Sequence, residues 1–269
     1  MKKTPLIWGT LILVLFLFPV AINLIPSGQT AKAPKLMKET SYMVYAANIL
    51  EEDINILEED IVVKNPGTAL LYFTHSTEAY KPVTQEKNGV IAVSHQTENI
   101  TKFGEKLKTQ LIANGIETDA LFINVPHTGA YRSIRPYVKE QLNKKNYDLI
   151  IDLHRDDPKK DRTTIVHNEE NYAKIGFVIG MEHPNFESNR AKALLLKKEM
   201  ELLVPGITRD LIMKHGPGVD GKYNQDLDPS LLVIELGGIE NTEDELNRSV
   251  AVIAKAAATV IENSARAEY

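Results

Sequence analysis

The chain has 269 residues, 43% hydrophobic and 25% charged, which is enough apolar material for a substantial core. A formal charge of −5 leaves no basic footprint for nucleic acid. With no cysteine present, disulfides and thiolate metal sites are excluded, so any metal must be held by histidine and carboxylate.

Lys2 and Lys3 precede the uncharged apolar run Leu6 to Ile25. About 20 apolar residues suffice to span a bilayer core. Lysines on the N-terminal side orient that end inside and the remainder outside. The expected element over residues 1–26 is a single-pass anchor in the cell membrane, with the bulk of the protein extracytoplasmic. A cleaved signal peptide is the rival, because Ala31-Lys32-Ala33 has the small-x-small form of a cleavage site. That tripeptide lies far from the apolar run and Pro34 follows at once, so the uncleaved anchor is favoured. Residues 27–66 read as a linker and an amphipathic juxtadomain segment. The linker is small, polar and proline-containing. The segment carries Met43, Ala46, Ile49, Leu50, Ile54 and Leu57 at roughly helical spacing.

From 67 to 269 strand-like and helix-like stretches alternate. Strands are expected over Thr68–Thr74, Ala120–Val125, Tyr147–Leu153, Thr163–His167, Ile175–Met181 and Ser230–Leu236. A helix with Thr97 as N-cap carries Ile100, Phe103, Leu107 and Leu111 on one face and stops at Asn114-Gly115. A second starts at Ser133 with Pro136 in its first turn, where proline is tolerated. Two more follow, the last opened by Thr242-x-x-Glu245, a capping-box pattern. This alternation predicts a single α/β domain with a mixed, mostly parallel sheet flanked by helices.

Such sheets place ligands beyond the carboxyl ends of their strands. "LLYFTH" delivers His75, with Glu78 three residues on. "YDLIIDLHRDD" delivers His154, then Arg155 and Asp156. "SLLVIELGG" delivers Glu235, then Gly237-Gly238, where backbone can approach a ligand closely. If these strands are neighbours, two histidines and two glutamates converge. That is the inventory of a hydrolytic zinc site: two histidines and a carboxylate on the metal, with a second carboxylate as base. Singly, each piece has a plainer reading, as a hydrogen-bonded surface histidine or a polar loop with a salt bridge. Glu235 resists that reading because it interrupts a continuous apolar strand, where a buried carboxylate is costly unless paired or near a metal. His95, His127, His167, His183 and His215 have no matching partner and read as structural. "HGPGVDGKYNQD" reads as a rim loop, since no helix with a Lys-Ser/Thr pair follows it.

In order, "THSTEAY", "NITKFGEKL", "DLHRDD", "YAKIGFVIGMEHPNFESN", "GPGVDGKYNQDL" and "LLVIELGGIENTEDE" resemble the stage II sporulation protein P family, from about Thr68 to Ala254. The resemblance implies a membrane-anchored, zinc-dependent N-acetylmuramoyl-L-alanine amidase of sporulation with the zinc amidase-like fold. Peptidoglycan is the implied substrate and Zn2+ the implied cofactor. Other sporulation membrane proteins, including a lytic transglycosylase, are the implied partners. One departure is the short stretch between anchor and domain, where relatives can carry a larger region.

His75 and His154 match the family's essential histidines, and Glu235 matches the catalytic glutamate of the wider zinc amidase group. Glu78 is the carboxylate ligand by the closer match, with Glu98, ahead of a long helix, as its rival. Arg155 is a candidate for the stem-peptide carboxylates, or else a neutraliser of Asp156 or Asp152. Tyr223, Asn224 and Gln225 are rim candidates for substrate contact. The same His-x-x-Glu, His, Glu order also fits a zinc carboxypeptidase or endopeptidase acting on wall peptides. A non-catalytic wall-binding scaffold is the third reading.

Overall fold

The computed structural model describes residues 67–267. The expected anchor over 1–26 and the linker and amphipathic segment over 27–66 lie outside the described residues. Among the described residues no helix is long and apolar enough to cross a membrane. The first half runs β1 (Gly67–Tyr72), α1 (Lys81–Asn88), α2 (Ile100–Ala113), β2 (Ile116–Leu121), α3 (Ala130–Lys144), β3 (Leu149–Asp156) and α4 (Lys160–Thr163). The second runs β4 (Thr164–His167), β5 (Glu170–Ala173), β6 (Ile175–Gly180), α5 (Phe186–Leu203), β7 (Ile212–Lys214), β8 (Leu231–Gly238) and α6 (Glu243–Ala267).

Six strands form one sheet in the order β2-β1-β3-β8-β6-β7. The β2, β1, β3 and β8 strands are mutually parallel, β6 runs antiparallel to β8, and β7 is parallel to β6. This is the expected α/β fold with a mixed, mostly parallel sheet. Central parallel strands are covered on both faces, which is why β1, β3 and β8 read as near-continuous apolar runs. On one face Leu71, Phe73, Ile151, Leu153, Leu232 and Ile234 form a core with α2, α5 and α6. On the other, Leu70, Tyr72, Ile150, Leu231 and Val233 pack with Ile134 and Val138 of α3.

Several boundaries differ from expectation for local reasons. β2 begins at Ile116, not Ala120, because Gly115 at φ 81° turns the chain straight out of α2 into register with Gly67. α2 is capped by Asn99, whose side chain accepts from Thr101 N at 3.0 Å, so Thr97 is not the N-cap. α3 starts at Ala130, and Pro136 therefore lies inside the helix, not in its first turn. The capping box is present: Thr242 N donates to Glu245 Oε2 at 2.9 Å as α6 begins. Four short elements had no expectation, the four-residue α4 among them. α1 opens on Pro82 and closes on Gly89 at φ 71°, while β7 is an edge strand of three residues. β5 pairs with β4 across Asn168 and Glu169, both at positive φ as in a primed hairpin turn.

Two stability predictions arise here. Gly104 on α2 faces Phe73, and a Cβ there would stand 2.1 Å from Phe73 Cζ. Alanine would gain up to about 1 kcal/mol of helix propensity. Phe73 is fully buried, so overpacking at about 1–3 kcal/mol opposes that gain. Gly104→Ala is expected to lower stability by about 1–2 kcal/mol in denaturant titration, and a net increase would show that Phe73 can move.

The second concerns Glu243 at the start of α6. Burial alone would raise its pKa, but Lys106 and Lys87 at 2.8 Å each outweigh burial and hold it down at about 2. A depressed folded-state pKa contributes stability that is present above the unfolded value and lost as pH falls through the folded one. Glu243→Gln is therefore expected to cost about 1 kcal/mol at pH 7 and only a small fraction of that at pH 2. Thermal unfolding at a series of pH values checks this, and a constant difference across that window would remove the ion pairs as its cause.

Candidate active site

The register of the central strands brings their carboxyl ends together. Tyr72 of β1 lies opposite Asp152 of β3, and His154 lies opposite Glu235 of β8. Partners in a parallel pair project to the same face, so His154 and Glu235 stand side by side. Just past β1, Thr74 donates to the fully buried Asp152 through N at 2.8 Å and through Oγ1 at 2.6 Å. This pins the exit of β1 to β3. The chain then turns tightly, Glu78 N donating to His75 O at 3.1 Å, and Glu78 swings back towards β3. Its Oε2 accepts from Arg155 N at 2.9 Å and lies 3.7 Å from His154 Nδ1. The His75 and His154 rings meet edge to face with centroids 5.4 Å apart.

The charges in this cluster are strongly coupled. His154 Nε2 is 3.0 Å from Asp152 Oδ1, a close ionic contact that is not a well-aligned hydrogen bond. Burial alone would lower the His154 pKa, but Asp152 and Glu78 outweigh it and hold it well above the usual histidine range. Burial would likewise raise Glu78, and the neighbouring His154 keeps it below its ordinary value. His75 is lowered by burial and by His154, which leaves its imidazole neutral. Burial pushes Glu235 up to about 8, against the opposing pull of His154, and its Oε2 is buried without a partner.

A second layer comes from the start of α3. The Tyr131 ring stacks on His154, with centroids 6.1 Å and planes 13° apart, and meets His75 edge-on at 5.8 Å. Tyr223 packs edge-on against Tyr131 at 5.2 Å. His127, on the loop before α3, has its ring centroid 4.5 Å from His75.

Whether a metal fits can be judged from the donors. As placed, no group of three or more His, Asp or Glu side chains among the described residues is close enough to hold one. The donor chemistry fits zinc nonetheless. Ligand atoms on one tetrahedral zinc stand about 3.4 Å apart, and Glu78 Oε2 and His154 Nδ1 are 3.7 Å apart. His75 Nδ1 is buried with no hydrogen-bond partner beside them. His154 also has the carboxylate at its far ring nitrogen that zinc-ligating histidines typically have.

The chain matches the family model described as stage II sporulation protein P over residues 29–258. The chain belongs to the stage II sporulation protein P family. The curated stage II sporulation protein P of Bacillus subtilis (strain 168) is 35% identical over 189 residues. That match takes in 66% of this chain and 47% of the relative, so the chain spans about half the relative's length. Among solved structures, the CwlD amidase of Clostridioides difficile, in complex with the GerS lipoprotein, superposes with a TM-score of 0.51 at 12% identity. It covers 74% of this chain and all of that one. A metallo-carboxypeptidase of Burkholderia cenocepacia superposes at 0.47 and 10% identity, over 77% of this chain and 60% of that chain. At 12% identity the likeness to the amidase is one of fold.

Within this stage II sporulation protein P family member, the structure gathers His75, Glu78, His154 and Glu235 at one end of the sheet. Glu98, the rival ligand, instead pairs with Lys102 at 2.5 Å. Arg155 is not available to substrate: it follows His154 on β3 and so faces the opposite side of the sheet. Its buried guanidinium donates to Asp156 O at 2.9 Å, Asp157 Oδ1 at 3.0 Å and Val93 O at 3.3 Å. Asn224 is also engaged internally, accepting from Arg135 at 3.0 Å and donating to Tyr131 O at 2.9 Å. Gln225 is fully buried between Val178 O and Gly180 N, which leaves Tyr223 as the rim candidate beside the site. Gly237-Gly238 serves the chain's own packing. A Cβ at Gly238 would lie 2.1 Å from Pro158 O, so the close backbone approach is to the loop after β3.

The residues missed from sequence are Asp152, Tyr131 and His127. Asp152 is two positions before His154 and so shares its face, a signal that strand periodicity supplied. Tyr131 and His127 carried no local signal, because a helix start and its loop reach the site only through tertiary packing.

Proposed function

We propose that this chain is a zinc-dependent N-acetylmuramoyl-L-alanine amidase that cleaves the bond between muramic acid and the stem peptide of peptidoglycan. The observation that carries this reading is the convergence of His75, Glu78, His154 and Glu235 beyond the carboxyl ends of β1, β3 and β8, in a member of the stage II sporulation protein P family. His75, Glu78 and His154 would hold a zinc ion, which when bound would supply Lewis acidity to the amide carbonyl and acidify water. Asp152 fixes the His154 ring so that Nδ1 faces Glu78. Glu235 takes a proton from the attacking water and passes it to the departing L-alanine nitrogen, as a general base and then acid. Tyr131 walls the histidines from solvent on the α3 side.

In this reading the apolar run Leu6–Ile25 tethers the chain to the cell membrane with the catalytic unit on the extracytoplasmic side. There it works with other membrane-bound sporulation proteins, a lytic transglycosylase among them. Protease accessibility of the domain in intact cells tests the orientation. The reaction is tested by digesting purified peptidoglycan with the full chain and separating the products. Glycan strands freed of intact stem peptides support the amidase. Released terminal amino acids or cut cross-links would replace it with a carboxypeptidase or endopeptidase. Wall binding with no product and no bound zinc would leave a scaffold.

A further inference from the structure

Arg155 faces away from the site, but another arginine lies on the site's own face. Arg209 follows α5, and its backbone N donates to Ile175 O at 2.8 Å, which holds the segment against the start of β6. The next residue of β6, Gly176, is paired with Glu235 across the antiparallel ladder. A Cβ on Gly176 would lie 2.6 Å from Arg209 Nη2 and 3.3 Å from Glu235 Cβ. The guanidinium thus occupies room that any other residue at 176 would fill, on the face that carries Glu235.

Asp156 Oδ2 accepts a hydrogen bond from Nη2, which fixes the guanidinium in place. Among the described residues this is the side chain's one hydrogen bond, and Nε is buried with no acceptor at all. A guanidinium offers five N–H donors in a planar fork suited to carboxylates. Here it is held at one corner, leaves donors unmatched, and stands next to the residue that handles the proton.

We propose that Arg209 is a specificity-determining residue that takes a carboxylate of an acidic peptide substrate and so sets the scissile amide against Glu235. This rests on the reading of the site as a hydrolase of wall peptides. The acidic side chains or free carboxyls of a stem peptide are the matching chemistry. The rival role is a prop, in which Arg209 only ties Asp156 to β6.

The test uses the full chain and two synthetic muramoyl peptides, one with free carboxyls and one with the same carboxyls converted to carboxamides. The parent protein is expected to favour the acidic peptide by about 10- to 100-fold in kcat/KM, the range of charge-assisted hydrogen bonds. Most of that preference should appear in KM. Arg209→Gln should bring the ratio close to one, and Arg209→Lys should restore part of it. Equal losses on both peptides would instead assign the prop, and an unchanged ratio in Arg209→Gln would overturn the proposal. Binding of both peptides to Glu235→Gln, with and without Arg209→Gln, separates recognition from reaction. If neither peptide is cleaved but acidic binding still depends on Arg209, the hydrolase reading fails and only the carboxylate-binding part of the assignment stands. Equal binding of both peptides by Glu235→Gln overturns the assignment.

Discussion

Glu235→Gln is expected to lower peptidoglycan hydrolysis by about 10²- to 10⁴-fold, the usual contribution of a general acid–base group. Zinc content should stay at the parent level, because Glu235 is the proton carrier and not a ligand in this mechanism. The same change should stabilise the metal-free protein at alkaline pH. Burial raises the folded-state pKa of Glu235 to about 8, above that of an unfolded glutamate. Between about pH 4.5 and 8 the folded state therefore binds more protons than the unfolded one, and the carboxylate costs stability as pH rises. Glutamine carries no such cost, so the variant should be more stable at pH 8 by on the order of 4 kcal/mol and similar at pH 4. Product analysis with thermal unfolding across pH checks both parts. Full hydrolysis by Glu235→Gln would remove Glu235 from the chemistry. Lost activity together with lost stability would mean it is a structural carboxylate.

Asp152→Asn is expected to weaken zinc binding about 10- to 100-fold, the typical effect of losing the outer carboxylate of a ligating histidine. Asp152 is fully buried and receives both Thr74 hydrogen bonds while facing His154 Nε2 at 3.0 Å. An amide of the same shape keeps one acceptor oxygen but presents a donor on its other side. It also removes the negative charge that sets the His154 ring. Folding should weaken as well, by about 2–3 kcal/mol, because hydrogen bonds to a charged group are replaced by partly mismatched ones. Chelator competition reads the metal affinity and denaturant titration reads the stability. Unchanged zinc affinity with reduced stability would make Asp152 only a clasp between β1 and β3.

Much of the site was legible because strands of an α/β sheet announce their ends. "LLYFTH" and "LIIDLH" are apolar runs that stop on a histidine, and "LLVIELGG" carries a carboxylate where an apolar residue would be cheaper. The fold was legible for the same reason: buried parallel strands and amphipathic helices leave different periods in the chain. Boundaries went astray where one residue's conformation decided them, as at Gly115 and Asn99. The four short elements were too brief to show a period at all.

What the sequence by itself determined is therefore the inventory: which side chains stand at strand ends, and that their chemistry is histidine and carboxylate. The tertiary structure decided which of them share a face. His154 and Arg155 are adjacent in the chain, yet pleating sends one to the site and the other into the packing behind it. Arg209 reaches Glu235 from a distant loop because Gly176 leaves room for its guanidinium. Neighbourhood along a chain is set by covalent bonds and can be read directly. Neighbourhood across a sheet depends on strand order, register and the space each side chain leaves, and those are settled only when the whole unit packs.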